Sequence, residues 1–431
     1  MKQDTPPASP GQQEEEDDVV ELDEEFIVDE EEDDYENDNA FGISDISMDD
    51  EDGQDEMSEA ASNAPKRDDS ELVFSKHTGS VFCCHLEQKM ACLAVTGGED
   101  EKAYVWKTRT GEVEFECTGH NDSVIGVEFN HDGSLVATGD MGGLIQVWKI
   151  SSKSLLWSEN ISEFVWLKWH KSANVLLAGT QAGEVYLWKV PSGECKVLAG
   201  NKANTDCGAF LHDGKRAVIC YANGIIKIYD LKTSQVLHTI GSLEGHSGTV
   251  SCIDIHPDNN LIVTGGEFGQ IVLIKTQTGK VASKFECDDT SSNESSNHPA
   301  WVEAVCFSKD ANFPLVVAAT LSGNIFIWDY SKLALRHKIS VGHGISRLLW
   351  DPLSTTVYAA DLDGAIQILN ARTGEVQAAL LGHSQNILDI CLSSDSSMII
   401  SASDDKTARL FAINAPERAA SKVGIQDSME N

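Results

Sequence analysis

From residue 71 to about residue 413, apolar runs of five to eight residues alternate with clusters of Gly, Asp, Ser and Thr. Helical periodicity is absent, so the pattern predicts many short strands joined by tight turns. One unit recurs: a small or polar turn with Gly, alternating apolar residues, then a large terminal residue. Its instances are EDEKAYVWK (99–107), MGGLIQVWK (141–149), QAGEVYLWK (181–189), ANGIIKIYD (222–230), EFGQIVLIK (267–275), LSGNIFIWD (321–329), LDGAIQILN (362–370) and DDKTARLFA (404–412). The terminal residues Trp106, Trp148, Trp188, Tyr229, Ile274, Trp328, Leu369 and Phe411 are spaced by 42, 40, 41, 45, 54, 41 and 42 residues. A repeat of this length decides the fold, because one unit cannot bury both faces of its own sheet.

A Gly-His or similar step precedes many units: Lys76-His77, Gly119-His120, Gly245-His246, Asn297-His298, Gly342-His343 and Gly382-His383. With the Trp-Asp-like endings, of which Trp328-Asp329 and Tyr229-Asp230 fit best, the chain resembles the WD-repeat family. Lys follows Trp106, Trp148 and Trp188, and Ile274, Leu369 and Phe411 depart further. The resemblance implies an all-β fold, a β-propeller with four antiparallel strands per blade. Eight endings imply eight blades; seven is the alternative, with the unit ending at Ile274 merged or irregular. ELVFSKH (71–77) is expected to be the outermost strand of the last blade, whose inner strands come from 384–413, so that both chain ends close the ring.

Charge divides the chain. Of 69 acidic and 32 basic residues, residues 1–70 hold 28 and 3, so this segment carries −25 of the formal −37. It is expected to be a disordered acidic tail with small apolar islands at Val19–Leu22, Phe26–Val28 and Phe41–Ile46. Residues 71–413 are expected to form the propeller and 414–431 a flexible C-terminal tail. The acidic balance argues against direct nucleic-acid binding, which needs clustered Lys and Arg, and points to a basic partner. No segment approaches a membrane span, and the N-terminus lacks the apolar core of a secretory signal. Eleven cysteines, none in a CxxC pair, read as reduced thiols, and the expected location is cytoplasmic, with the nucleus and the cell cortex as further sites.

His77, Thr96, Asp100 and Trp106 occupy the offsets of the structural hydrogen-bond tetrad that the WD-repeat resemblance implies. His383, Ser401 and Asp405 match three positions, while Gly142, Ala182 and Phe268 stand where the Asp is expected. A His, a hydroxyl and an Asp also resemble a nucleophilic triad, but the repeat context gives them a structural role. No Walker loop, HExxH or GxSxG is present, so no catalytic residue, metal or cofactor is expected.

In a WD-repeat blade, the loop before the innermost strand and the turn before the Trp-bearing strand open on one face, the top. The turns are expected to carry Glu99, Glu101, Asp140, Tyr221, Glu267, Phe268 and Asp361. The loops are expected to carry Asp122, Glu163, Phe164, Asp206 and Trp301. Acids interleaved with aromatics suit a basic, partly extended peptide. The 54-residue interval marks an insertion at 287–298, expected on the top rim, with serines open to phosphorylation.

LAVTGGEDEKAYVW (93–106), LVATGDMGGL (135–144), LLAGT (176–180), DGKRAV (213–218) and VVELD (19–23) resemble the angio-associated migratory cell protein family. The resemblance implies an association with cell migration and angiogenesis in animals. Its fungal relatives imply a chaperone for a basic ribosomal protein of the large subunit. The leading reading is therefore a non-enzymatic binding protein, a monomer, that escorts a basic client of the L10/L16 family. The alternative is a scaffold in migration signalling.

Overall fold

The computed structural model describes residue 65 and residues 67–288, 300–310 and 312–413, all in the unit Gly53–Asn431. Among them every regular element is a strand, and the strands form eight four-stranded antiparallel sheets. Seven are built in chain order: blade 1 (81–117), blade 2 (124–160), blade 3 (164–198), blade 4 (205–240), blade 5 (250–286), blade 6 (302–340) and blade 7 (345–380). The unit ending at Ile274 forms a complete blade 5, so the seven-blade alternative is set aside. Innermost strands contact one another in sequence, and Ile387–Leu392 of blade 8 meets Val81–Leu86 of blade 1, closing an eight-bladed ring.

Blade 8 joins the two chain ends. Leu72–Phe74 pairs with Ala408–Ala412 as the outermost strand, as the sequence implied. Phe74 is buried and stacks on Trp106 of blade 1 with ring centroids 4.6 Å apart, so the closing strand also seals the neighbouring interface. Burial of such a side chain is worth about 1.5–3 kcal/mol. The attachment begins earlier than residue 71. Asp69 N donates to Leu381 O at 2.7 Å, Leu381 N donates to Asp69 Oδ2 at 2.9 Å, and Asp68 pairs with Arg409. These acids have partners on blades 7 and 8, which is why the boundary falls before them. Residues 1–64 and 66 of the acidic segment, the 414–431 tail and residues 289–298 of the insertion lie outside the described residues.

The terminal position of each repeat is a packing position. Trp106, Trp188, Tyr229, Ile274, Leu369 and Phe411 are all buried between sheets. The position needs apolar volume, so Ile or Leu can replace the indole. Each innermost strand also carries a register shift near its start, at 81/83, 124/126, 164/166, 205/207, 250/252, 302/304, 345/347 and 387/389. The extra residue is unpaired in the ladder, and bulges of this kind bend a strand where it lines a ring.

Candidate functional site

The His-hydroxyl-Asp sets lie inside blades. In blade 1 the His77 ring bonds Asp100 Oδ1 at 2.9 Å and Thr96 Oγ1 at 3.0 Å, and Trp106 Nε1 donates to Thr96 Oγ1 at 3.3 Å. In blade 8 His383 bonds Asp405 at 2.8 Å and Ser401 at 2.7 Å, with Phe411 in place of the indole. Burial opposes the Asp405 charge, but His383, Thr407 and the Ser384 amide hold its pKa down to about 2. The histidine side chains of both sets have no exposed surface, so these groups tie strands together and meet no substrate.

Blade 2 supplies its carboxylate from a different backbone position. Asp140, expected on the binding face, is 1% exposed and bonds His120 Nδ1 at 2.8 Å; His120 Nε2 bonds Thr138 at 2.8 Å. Asp140 ends the second strand, where blade 1 has Gly98. A Cβ on Gly98 would lie 3.0 Å from His77 Nδ1, so a side chain at this position aims at the histidine. The Asp missing at Gly142 is thus replaced from two residues earlier. Blade 5 has no such substitute: His246 bonds Thr264 at 2.8 Å, but its buried Nδ1 has no partner, and burial lowers its pKa to about 4.

Three more expected contact residues are interior. Tyr221 and Asp361 end second strands, as Asp140 does, and both are buried. The Tyr221 and Tyr229 hydroxyls bond each other at 2.9 Å, and Asp361 Oδ2 accepts from Gln367 at 2.9 Å. Phe164 opens its strand and fills the space over Gly126 and Gly139 of blade 2, where an added Cβ would come within 2.7 and 2.8 Å of its ring. For Asp140, Tyr221 and Asp361 the correction has one cause: a shift of one residue in a strand moves a side chain between solvent and core.

The remaining residues surround the top of the channel. In every blade the residue after the second strand donates its amide to the carbonyl of the residue immediately before the innermost strand. The pairs are Glu99–Ser80, Met141–Ser123, Gln181–Glu163, Ala222–Asn204, Glu267–Thr249, Leu321–Trp301, Leu362–Gly344 and Asp404–Asn386. This inner ring holds four acids and no Lys or Arg. Glu99, Glu101, Asp122, Glu163 and Phe268 are exposed, and Glu267 and Trp301 are half-buried. Lys76, Lys102, Lys202 and Lys406 stand elsewhere in the same loops, so the acid excess belongs to the inner ring.

Below the ring, bulge residues add Asp206 and Glu303. Burial pushes the Asp206 carboxyl up to about 6, and its buried Oδ2 has no hydrogen-bond partner. Burial also raises Glu303, opposed by Arg347, whose guanidinium lies 3.7 Å from Glu303 and 3.3 Å from Asp389. Sequence reasoning missed Glu303, because repeat spacing does not reveal a bulge, and Arg347 and Asp389, because they lie inside the innermost strands rather than in the loops. Among the described residues there is no metal-binding cluster and no helix long and apolar enough to cross a membrane. All eleven cysteines are free thiols.

A family model described as "WD domain, G-beta repeat" matches residues 111–149, and "Nucleolar protein 10-like, N-terminal domain" matches residues 239–417. The Saccharomyces cerevisiae protein named "Ribosome assembly protein SQT1" is 24% identical over 405 residues, covering 84% of this chain and 91% of that one. The crystal structure of Chaetomium thermophilum Sqt1 bound to the N-terminus of the ribosomal protein L10 shares the fold, with a TM-score of 0.72 at 18% identity over 80% of this chain and all of that one. The angio-associated migratory cell protein of Homo sapiens is 41% identical over 356 residues, covering 81% of this chain and 82% of that one. With that identity across most of both chains, the protein belongs to the angio-associated migratory cell protein family of WD-repeat propellers.

Proposed function

We propose that this propeller is a non-catalytic escort that holds a basic segment of a ribosomal protein of the L10/L16 family on its top face. The observation that carries the reading is the inner ring: Glu99, Glu163, Glu267 and Asp404 with no basic residue among its sixteen positions. Carboxylates at this spacing pair with successive Lys and Arg side chains, while Phe268 and Trp301 offer ring faces for their aliphatic stems and cations. Asp206 adds a carboxyl one step inside, short of a partner until a cation reaches it. Masking those cations keeps a client soluble and off RNA until assembly. The ribosome-assembly relative and the Sqt1 structure with the L10 N-terminus support the choice of client. The migration-scaffold reading draws on a relative's name, and no surface described here favours it.

Affinity capture on the full chain tests this. Recovery of a basic ribosomal protein that is released by moderate salt is expected, because the pairing is electrostatic. Capture that survives high salt, or that brings down no basic ribosomal protein, overturns the reading.

A further inference from the structure

One position at the opposite mouth of the channel has the reverse character, although Asp132, Asp213, Asp258, Asp310 and Asp395 stand in the same turns. The second residue after each innermost strand is, in blade order, Gln88, His131, Lys171, His212, Pro257, Lys309, Pro352 and Ser394. This basal ring contains two lysines, two histidines and no acid, in a chain of formal charge −37. Its residues from blades 3 to 7 line a cavity of about 620 Å³: Lys171, His212, Pro257, Lys309 and Pro352, with Trp350.

The lysines are held in place and incompletely neutralised. Lys171 Nζ hydrogen bonds His212 Nδ1. An ammonium can only donate, so Nδ1 accepts and the ring proton sits on Nε2, which donates to Ile255 O at 3.3 Å. His212 is thereby a positioning residue for Lys171. Among the described residues Lys171 has no carboxylate within ion-pair distance, whereas Lys309 has one, Asp254, at 2.8 Å. Burial lowers the Lys171 pKa and Lys309 repels it further, with Asp254 opposing, so the two ammonium groups share one space and one counter-charge. Trp350 commits its indole N–H to Ser354 O at 3.1 Å, leaving an apolar wall.

We propose that this basal mouth is an anion site for a small phosphorylated ligand, held by Lys171 and Lys309. Two lysines from non-adjacent blades line the space, and a phosphate group offers them three strong acceptor oxygens and up to two charges, against two oxygens and one charge for a carboxylate. The cavity, open to solvent, has room for more than one phosphate, and the positive charge left beside Asp254 is what such a ligand neutralises. Non-specific phosphate binding is suppressed by the acidic surface elsewhere, so the background is low.

Calorimetric titration of the full chain with inorganic tripolyphosphate, with inorganic phosphate and sulfate at matched ionic strength as separate arms, tests the site. Saturable binding of one tripolyphosphate per chain, tighter than sulfate, is expected. Lys171→Gln with Lys309→Gln is expected to weaken it at least tenfold, and His212→Ala several-fold with partial rescue by His212→Gln. Lys149→Gln, exposed at the end of a third strand, serves as the control and should leave it unchanged. Thermal unfolding checks that each variant is folded. Binding of inorganic phosphate alone identifies a single phosphate group as the element recognised and supports the site. No saturable binding by wild type up to about 1 mM, equal affinity for sulfate, or equal affinity in the folded double variant overturns it.

Discussion

The selected ring positions at the two mouths of the channel come from one repeat yet carry opposite charge. At the top, backbone-paired ring positions hold Glu99, Glu163, Glu267 and Asp404 and no base; at the bottom, the corresponding turn positions hold Lys171, Lys309, His131 and His212 and no acid. Turn chemistry accepts Asp, Ser, Asn or Gly at both ends, so it does not explain the segregation. Along the inner strands the sign changes by stages, from Asp206 and Glu303, through the Arg347–Asp389 pair, to Lys168 beside Glu128 and Lys309 beside Asp254. A repeat fold fixes where side chains sit and leaves their charge free, so function is written in the positions that packing does not use.

The sharpest way to break this comparison is to mistake interior acids for surface ones. Asp140→Ala is expected to cost about 3–5 kcal/mol of unfolding free energy, because it strands the buried His120 partner, whereas Glu99→Ala should change stability by about 0.5 kcal/mol or less. Urea unfolding of the two variants measures the difference; equal losses would show that the surface and interior assignments are wrong.

Charge reversal on the top ring comes next. Glu99→Lys, Glu163→Lys and Glu267→Lys together should reduce affinity for a basic peptide by about 100-fold, as three attractive contacts become repulsive. The basal Lys171→Gln and Lys309→Gln pair should change it by about twofold at most.

A smaller effect concerns blade 5. Burial holds the His246 pKa near 4, below its ordinary value of 6.5, so the folded state binds this proton less tightly than the unfolded chain. Stability from this group is intact above pH 6.5 and is lost as pH falls toward 4, by about 3 kcal/mol. Phe268→Asp restores the acceptor that blades 1 and 8 possess and should flatten that dependence in pH-resolved urea unfolding.

The smallest is Asp206. With its carboxyl at about 6, protonation removes a binding charge as pH falls from 7 to 5, and affinity for a basic peptide should drop about fivefold. Asp206→Asn should bind more weakly at pH 7 and lose that pH dependence; an unchanged profile assigns the dependence elsewhere.

The blade number, the strand shared by the chain ends and the tetrad of His77, Thr96, Asp100 and Trp106 were legible because each depends on spacing, which the chain carries directly. The binding face was legible only in part. Asp140, Tyr221 and Asp361 sit one residue before the solvent-facing turn position held by Glu99; they lie eight residues before the terminal residue of their repeats and Glu99 lies seven before, so the step is present in the spacing but small beside the variation in loop length. Phe164 looked like a surface aromatic because its two glycine neighbours, Gly126 and Gly139, lie in another blade. Asp206 was named from its loop, but its lack of a hydrogen-bond partner arises from a bulge, which depends on ring curvature.

The central claim is that the acidic inner ring is the client surface, and titration of the full chain with a basic peptide from the N-terminus of a ribosomal protein of the L10/L16 family tests it most directly. Tight, salt-sensitive binding that the top charge-reversal variant loses and the basal variant keeps is the predicted result. Binding that survives reversal at Glu99, Glu163 and Glu267 in a folded protein contradicts the account.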